Sequence, residues 1–213
     1  NSLKSIRTSI MGNKPLHIFL TGYIFFGFGM GMWLGMLFLY VDSYLGMGQL
    51  FAQTYLFGLI ASIAITPVWC KLAIALGKKT TMGLGQGLMI ASFIYTGLLR
   101  PGEVGLAEML VLNSVNTLGM GCMAAIAPAM LSKICDYSAW KFRSENTATY
   151  FALYLFFTKF SLAVGGALGL AIAGWYGFDA TVTVQSDEGI LGLLIVMAVL
   201  PLIFLLIALA FTL

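Results

Sequence analysis

Long apolar runs and short polar stretches alternate along the chain. The apolar runs are 16–40, 50–70, 80–99, about 108–131, about 148–175 and 189–213. About 20 mostly apolar residues suffice for a helix to cross roughly 30 Å of hydrocarbon. The first run holds no Asp, Glu, Lys or Arg, the fourth starts at Glu108, and the fifth carries a single charge, Lys159. Pro67 and Pro201 lie inside the second and sixth runs, where neighbouring helices can satisfy the backbone groups a proline frees. A membrane β-barrel needs alternating segments of about ten residues, which these continuous runs do not resemble. The pattern predicts an all-α integral membrane protein: a linker over 1–15, then a bundle of six transmembrane helices over 16–213.

Charge in the connections agrees with six crossings. Lys4, Arg7 and Lys14 precede the first run; Lys71, Lys78 and Lys79 lie between the second and third; Lys133, Lys141 and Arg143 lie between the fourth and fifth. The alternate connections hold Arg100 alone, so the split is nine against one. Short cytoplasmic loops accumulate Lys and Arg. Both ends of the segment are therefore expected in the cytoplasm. The chain does not start with Met and is still apolar at Leu213, so it reads as part of a longer protein. The first fifteen residues lack the apolar core and small-residue cleavage site of a signal peptide.

Composition narrows the classes. Of 213 residues 60% are hydrophobic and 9% charged, against roughly a quarter charged in soluble domains. That excludes a soluble domain and a disordered one. A net charge of +3 without a basic stripe argues against a nucleic-acid partner and leaves membrane lipids as one. Phosphate-loop, zinc-protease and hydrolase nucleophile motifs are absent from the sequence, and its one histidine, His17, has no second His or acid nearby. Cys70, Cys122 and Cys135 are odd in number and widely spaced, giving neither a disulfide framework nor a metal pattern. No catalytic residue, metal or cofactor is expected.

Glycines recur every four residues: Gly27, Gly31 and Gly35, Gly83 and Gly87, Gly165 and Gly169. Small residues at that spacing share a helix face and let backbones approach. Lys159 stands well inside the fifth run, where a charge costs a few kcal/mol unless it faces water or an acid. No Asp or Glu of this chain maps to a helix interior. If the fifth helix starts later, Lys159 instead snorkels to head groups. Tyr154 and Thr158 are four apart, and the pattern predicts one face beside the lysine. Asn113, Asn116 and Thr117 form a polar stripe on the fourth helix; such groups suit a hydroxyl-rich ligand and interhelical hydrogen bonds alike. Trp33 and Tyr40 offer rings for a sugar. The polar connection 132–147 mixes Asp136, Lys141, Arg143 and Glu145, as a solvated loop or a cytoplasmic gate of ion pairs would.

Several segments together carry a resemblance. Asp136-Tyr137-x-x-Trp140-Lys141, then Tyr150, Lys159, Gly165-Gly166 and Gly177-Phe178-Asp179 resemble the glycoside–pentoside–hexuronide cation symporters of the major facilitator superfamily. Leu39-Tyr40-x-x-x-Tyr44-Leu45-Gly46, Gly77-Lys78-Lys79, Gln185, Leu191-Gly192 and Leu200-Pro201 follow in the family's order. The match covers nearly the whole chain but only the C-terminal half of the family, helices seven to twelve of twelve. The resemblance implies a secondary transporter working by alternating access, with an N-terminal six-helix half as partner and a glycoside, sugar or uronide as substrate. Na⁺ or H⁺ would be the coupling ion, held mainly by that N-terminal half. It implies a cavity-facing, substrate-binding Lys159, with Thr158, Tyr154 and Leu155 beside it; Asn113, Asn116 and Trp33 would complete the wall, and Asp136, Lys141 and Arg143 would form the gate. This sequence departs from the family at Lys133, Ser138-Ala139, Phe142–Glu145 and Thr147, and has Ala124 where a cavity tryptophan is found in the family. Those changes open the alternative of a lysolipid or other amphiphile as substrate. A membrane scaffold or intramembrane enzyme is the alternative of another class.

Overall fold

A computed structural model describes residues 2–143, 146–180, 182 and 185–213, with side chains from Arg7 onward. Its helices are α1 (Ser2–Met11), α2 (Lys14–Leu39), α3 (Gly48–Ala75), α4 (Lys78–Leu98), α5 (Leu106–Phe142), α6 (Thr147–Trp175), α7 (Asp187–Leu194) and α8 (Leu200–Thr212). A π-helical turn, Tyr40–Tyr44, continues α2, and a second, Ile195–Val199, joins α7 to α8. Among the described residues five helical segments are long and apolar enough to cross a membrane: Lys14–Tyr44, Gly48–Ala75, Leu106–Phe142, Thr147–Trp175 and Asp187–Thr212. The third expected run is also a helix, α4, whose 21 residues at 1.5 Å each give roughly 31 Å. Lys78, Lys79, Gln86 and several hydroxyls make it less apolar than the others, and it buries Thr81, Gln86, Ser92 and Thr96.

Local chemistry fixes the helix ends. Pro15 sits in the first turn of α2, where its missing N–H costs nothing, and the Asn13 side chain accepts from the Leu16 N–H at 3.1 Å. Gly105 N–H donates to Glu108 at 2.8 Å at the start of α5. Ser186 caps α7 by accepting from Gly189 at 3.1 Å. Between α3 and α4 the chain reverses at Gly77, whose φ of 87° is open to glycine at little cost. In α7–α8, Leu200 N–H reaches back five residues to Ile195. That widened turn lies just ahead of Pro201, which has no N–H to give.

Two boundaries differ from the sequence reading. The linker expected over 1–15 is largely helical, because no Gly or Pro interrupts residues 2–11. The fourth helix runs on past 131 to Phe142, since 132–142 lacks Gly and Pro and buries Ile134, Cys135 and Ser138 at helical spacing. Most of the expected polar connection is thus a rigid extension of α5.

The packing repeats. α2 lies against α6 and α8, and α5 lies against α3 and α4. Each inner helix opens one triplet and packs on the second and third helices of the other, the arrangement an internal repeat produces. α2 is central: 61% of its most apolar stretch is buried, against 17% for α3 and for α6, which are the flanks. The four-residue glycines make the α2–α6 seam. A Cβ on Gly31 would run into the Leu162 carbonyl, and one on Gly165 would lie 3.0 Å from Phe28 Cα.

Candidate functional site

α6 sorts its side chains by face. Tyr154, Ser161, Gly165, Gly169 and Ala173, spaced by sevens and fours, form its buried stripe. Lys159 lies off that stripe, mid-helix and exposed, beside the exposed Leu155, Phe156 and Phe160. Lys159 is the one charge in the helix, and no described residue pairs with its ammonium. The side chain leans from the outer face of a flank helix, away from the α2 seam.

Tyr154 and Thr158 do not share that face. Tyr154 is buried against α2, where its hydroxyl donates to that of Tyr23 at 3.2 Å and the rings meet edge-on at 4.8 Å. Phe19 closes the cluster, 5.9 Å from Tyr154. Thr158 is half-buried and donates back to the Tyr154 carbonyl at 2.6 Å. The expectation that this pair shares a face beside the lysine is corrected by helix rotation: at 3.6 residues per turn position 154 lies about 140° from position 159, and position 158 about 100°.

The polar stripe of α5 divides in the same way. Asn113 donates to Thr54 on α3 at 2.8 Å, and Thr117 donates to the Asn113 carbonyl at 2.8 Å. Both residues serve the α3–α5 seam. Asn116 is fully buried, and among the described residues neither its amide nitrogen nor its oxygen has a hydrogen-bond partner. Trp33 is equally buried, its ring 6.0 Å from Phe93 and its indole N–H without a partner. Such orphaned groups cost about 1–3 kcal/mol each. The expected wall is therefore spread over an open face (Lys159), two seams (Tyr154 with Thr158, and Asn113) and the interior (Asn116, Trp33).

At the other candidate, Asp136, Lys141 and Arg143 are all exposed. Lys141 Nζ lies 5.5 Å from the Tyr137 ring centroid and 5.2 Å from that of Phe142. This is cation–π geometry. Arg143 ends α5 in the left-handed region at φ 50°. Glu145, the fourth member expected there, lies outside the described residues. A buried hydrogen-bond network occupies this end and escaped the sequence reading. The Tyr150 hydroxyl meets Ser138 Oγ at 2.7 Å and accepts from Asn13 at 3.4 Å; nearby, Asn146 donates to Ser9 at 2.6 Å. It ties the starts of α2 and α6 to the end of α5. Asn13 two residues before Pro15 was its legible sign, as a helix cap.

The sequence model described as MFS/sugar transport protein fits residues 3–213. The chain belongs to this family. The MFS/sugar transport family comprises membrane transporters, not enzymes, and with these apolar helices the chain is an integral membrane protein. It is 30% identical over 198 residues to the uncharacterized symporter YjmB of Bacillus subtilis (strain 168), covering 91% of this chain and 42% of that protein. It is 23% identical over 202 residues to the sodium-dependent lysophosphatidylcholine symporter 1 of Xenopus tropicalis, covering 94% and 38%. It is 21% identical over 198 residues to symporter 1-A of that name in Danio rerio, covering 90% and 36%. The chain thus spans about two fifths of the length of these relatives.

Proposed function

We propose that the chain forms the C-terminal six-crossing half of a cation-coupled symporter, with α4 as the third crossing and both ends of the segment in the cytoplasm. An N-terminal half meets the open faces of α3 and α6, and the two rock about a central cavity, as alternating access requires. The coupling ion is Na⁺ or H⁺, and the membrane is the bacterial inner membrane. One observation carries this reading: Lys159 is exposed and unpaired midway along an otherwise uncharged helix. In hydrocarbon that placement costs several kcal/mol, so the face belongs to a hydrated cavity or an acidic partner. Lys159 binds an anionic or hydroxyl group of the substrate or answers to the occupied cation site. The substrate is a glycoside, sugar or uronide.

A second reading keeps the fold and takes a lysolipid. It is favoured by the exposed apolar side chains next to Lys159 (Leu155, Phe156 and Phe160) and by Ala124 in place of a cavity tryptophan. Two of the relatives are themselves named lysophosphatidylcholine symporters. Reconstituting the full-length protein, both halves together, in vesicles with a Na⁺ or H⁺ gradient, and offering labelled glycosides and uronides against lysophosphatidylcholine, separates the two. Lys159→Ala is expected to abolish gradient-driven uptake of whichever is carried. Uptake by that variant at the wild-type rate overturns both readings.

A further inference from the structure

At the end of the bundle where the basic residues gather, four helices leave a cavity of about 270 Å³ between them. Phe19, Gly22 and Tyr23 of α2, Met82 of α4, Met130 of α5 and Phe211 of α8 wall it. Ile18 and Phe211, each 39% exposed, stand beside it. A second hollow, of about 320 Å³, adjoins it and shares Pro15, Lys79, Met130 and Ile134. Its other lining residues are Lys78, Lys133 and Tyr137. The two make one groove, apolar in depth and rimmed by three ammonium groups. No Asp or Glu lines either part; Asp136, one position before Tyr137, is not among the lining residues.

The ammonium groups retain free hydrogen-bonding capacity. Lys78 donates to the Ala129 carbonyl at 2.7 Å and Lys79 to the Leu213 carbonyl at 2.9 Å. Each contact uses one N–H of three and fixes the head at the rim, leaving two for another acceptor. Lys133 is exposed and has no partner among the described residues. Three positive charges over an apolar slot, at one end of the helices, match a molecule with a phosphate at one end and a hydrocarbon chain at the other. Basic pockets between membrane helices bind anionic head groups in this way.

We propose that this groove binds an anionic phospholipid of the surrounding bilayer. Its phosphate sits among Lys78, Lys79 and Lys133, and an acyl chain lies along Phe19, Met82 and Phe211. The lipid wedges α2 against α4 and α8, on a face separate from the one that carries Lys159. It is a resident of the fold, not cargo.

The test is native mass spectrometry of the purified, delipidated protein titrated with phosphatidylglycerol against phosphatidylcholine of the same acyl chains. One phosphatidylglycerol is expected to bind in preference. Each lysine changed to Gln at positions 78, 79 and 133 is expected to lower that preference about fivefold, the equivalent of about 1 kcal/mol per basic group. Lys133→Gln touches no hydrogen bond and serves as the variant whose folding is not in question. Met82→Trp, which fills the slot, is expected to displace the lipid with all three lysines in place. Lys71→Gln removes an exposed charge from the same end of α3, outside the groove, and is expected to change nothing. Equal binding of the two lipids overturns the proposal. So does an unchanged preference in Lys133→Gln, or an equal loss in Lys71→Gln.

Discussion

Gly31 offers a quantitative test of the α2–α6 seam. A Cβ placed there collides with the Leu162 carbonyl and comes within 2.9 Å of the Gly166 nitrogen. Both are backbone atoms of α6, so no side chain can rotate away and the helices must separate. Forcing one methyl into a packed site costs about 1–3 kcal/mol. For a chain of this size each kcal/mol lowers the melting temperature by about 2–4 °C, so Gly31→Ala is expected to lose about 2–12 °C. The geometry also ranks neighbouring sites. At Gly35 the nearest atom to a new Cβ is Gly166 Cα at 3.1 Å, so Gly35→Ala is expected to lose less. At Gly87 nothing lies within 4 Å, and Gly87→Ala is expected to melt with the wild type or above it, since Ala favours the helix by up to about 1 kcal/mol. The assay is thermal unfolding in detergent micelles, followed by intrinsic fluorescence. If Gly31→Ala melts with the wild type while Gly87→Ala falls, the seam is not the close backbone contact described.

Further outcomes follow from the same geometry. Lys159→Ala is expected to keep the wild-type melting temperature, because the side chain is exposed and pairs with no described residue, while transport by the full-length protein in vesicles is lost; a large drop in melting temperature refutes the open-face placement. Tyr150→Phe removes the hydroxyl that serves Ser138 and Asn13 and is expected to cost about 1–3 kcal/mol, read from the same melting curves; no change would mean that the network is not formed. Asn116→Leu replaces a buried amide that lacks partners among the described residues with an apolar group of similar volume and is expected to raise the melting temperature; if uptake falls in that same variant, the amide meets the substrate, and a lowered melting temperature shows that it has a structural partner.

Much of the architecture was legible because bilayer thickness imposes a length that an apolar run must meet. The glycine seam between α2 and α6 was legible too, because four-residue spacing fixes a shared face; the same spacing at Gly83 and Gly87 of α4 makes no such seam, since nothing lies within 4 Å of a Cβ at Gly87. α4 was readable by length although its hydroxyls and Gln86 dilute its apolarity. The polar ends of α1 and α5 were misread because polarity marks what leaves the membrane, not what stops being helical. Periodicity told which residues lie together and not which neighbour they meet. Tyr154 and Thr158 keep company as expected, yet the stripe that holds them turns toward α2, where Tyr23 waits, and the lysine turns the other way. Asn13 at the start of α2 lies more than a hundred residues from Ser138 and Tyr150, so no local pattern could assemble the three.

The π-helical turn at Ile195–Val199 has a consequence for the last crossing. A turn with one residue too many offsets everything that follows by about 100° relative to an unbroken α-helix. With that offset, Phe204 and Phe211 lie flat along Phe25, with centroids 6.2 and 6.1 Å away. Excising one residue from this stretch would restore the regular winding and swing both rings off their mate. A gap of one position here in an otherwise similar sequence would therefore mark a different partnership between the first and last crossings.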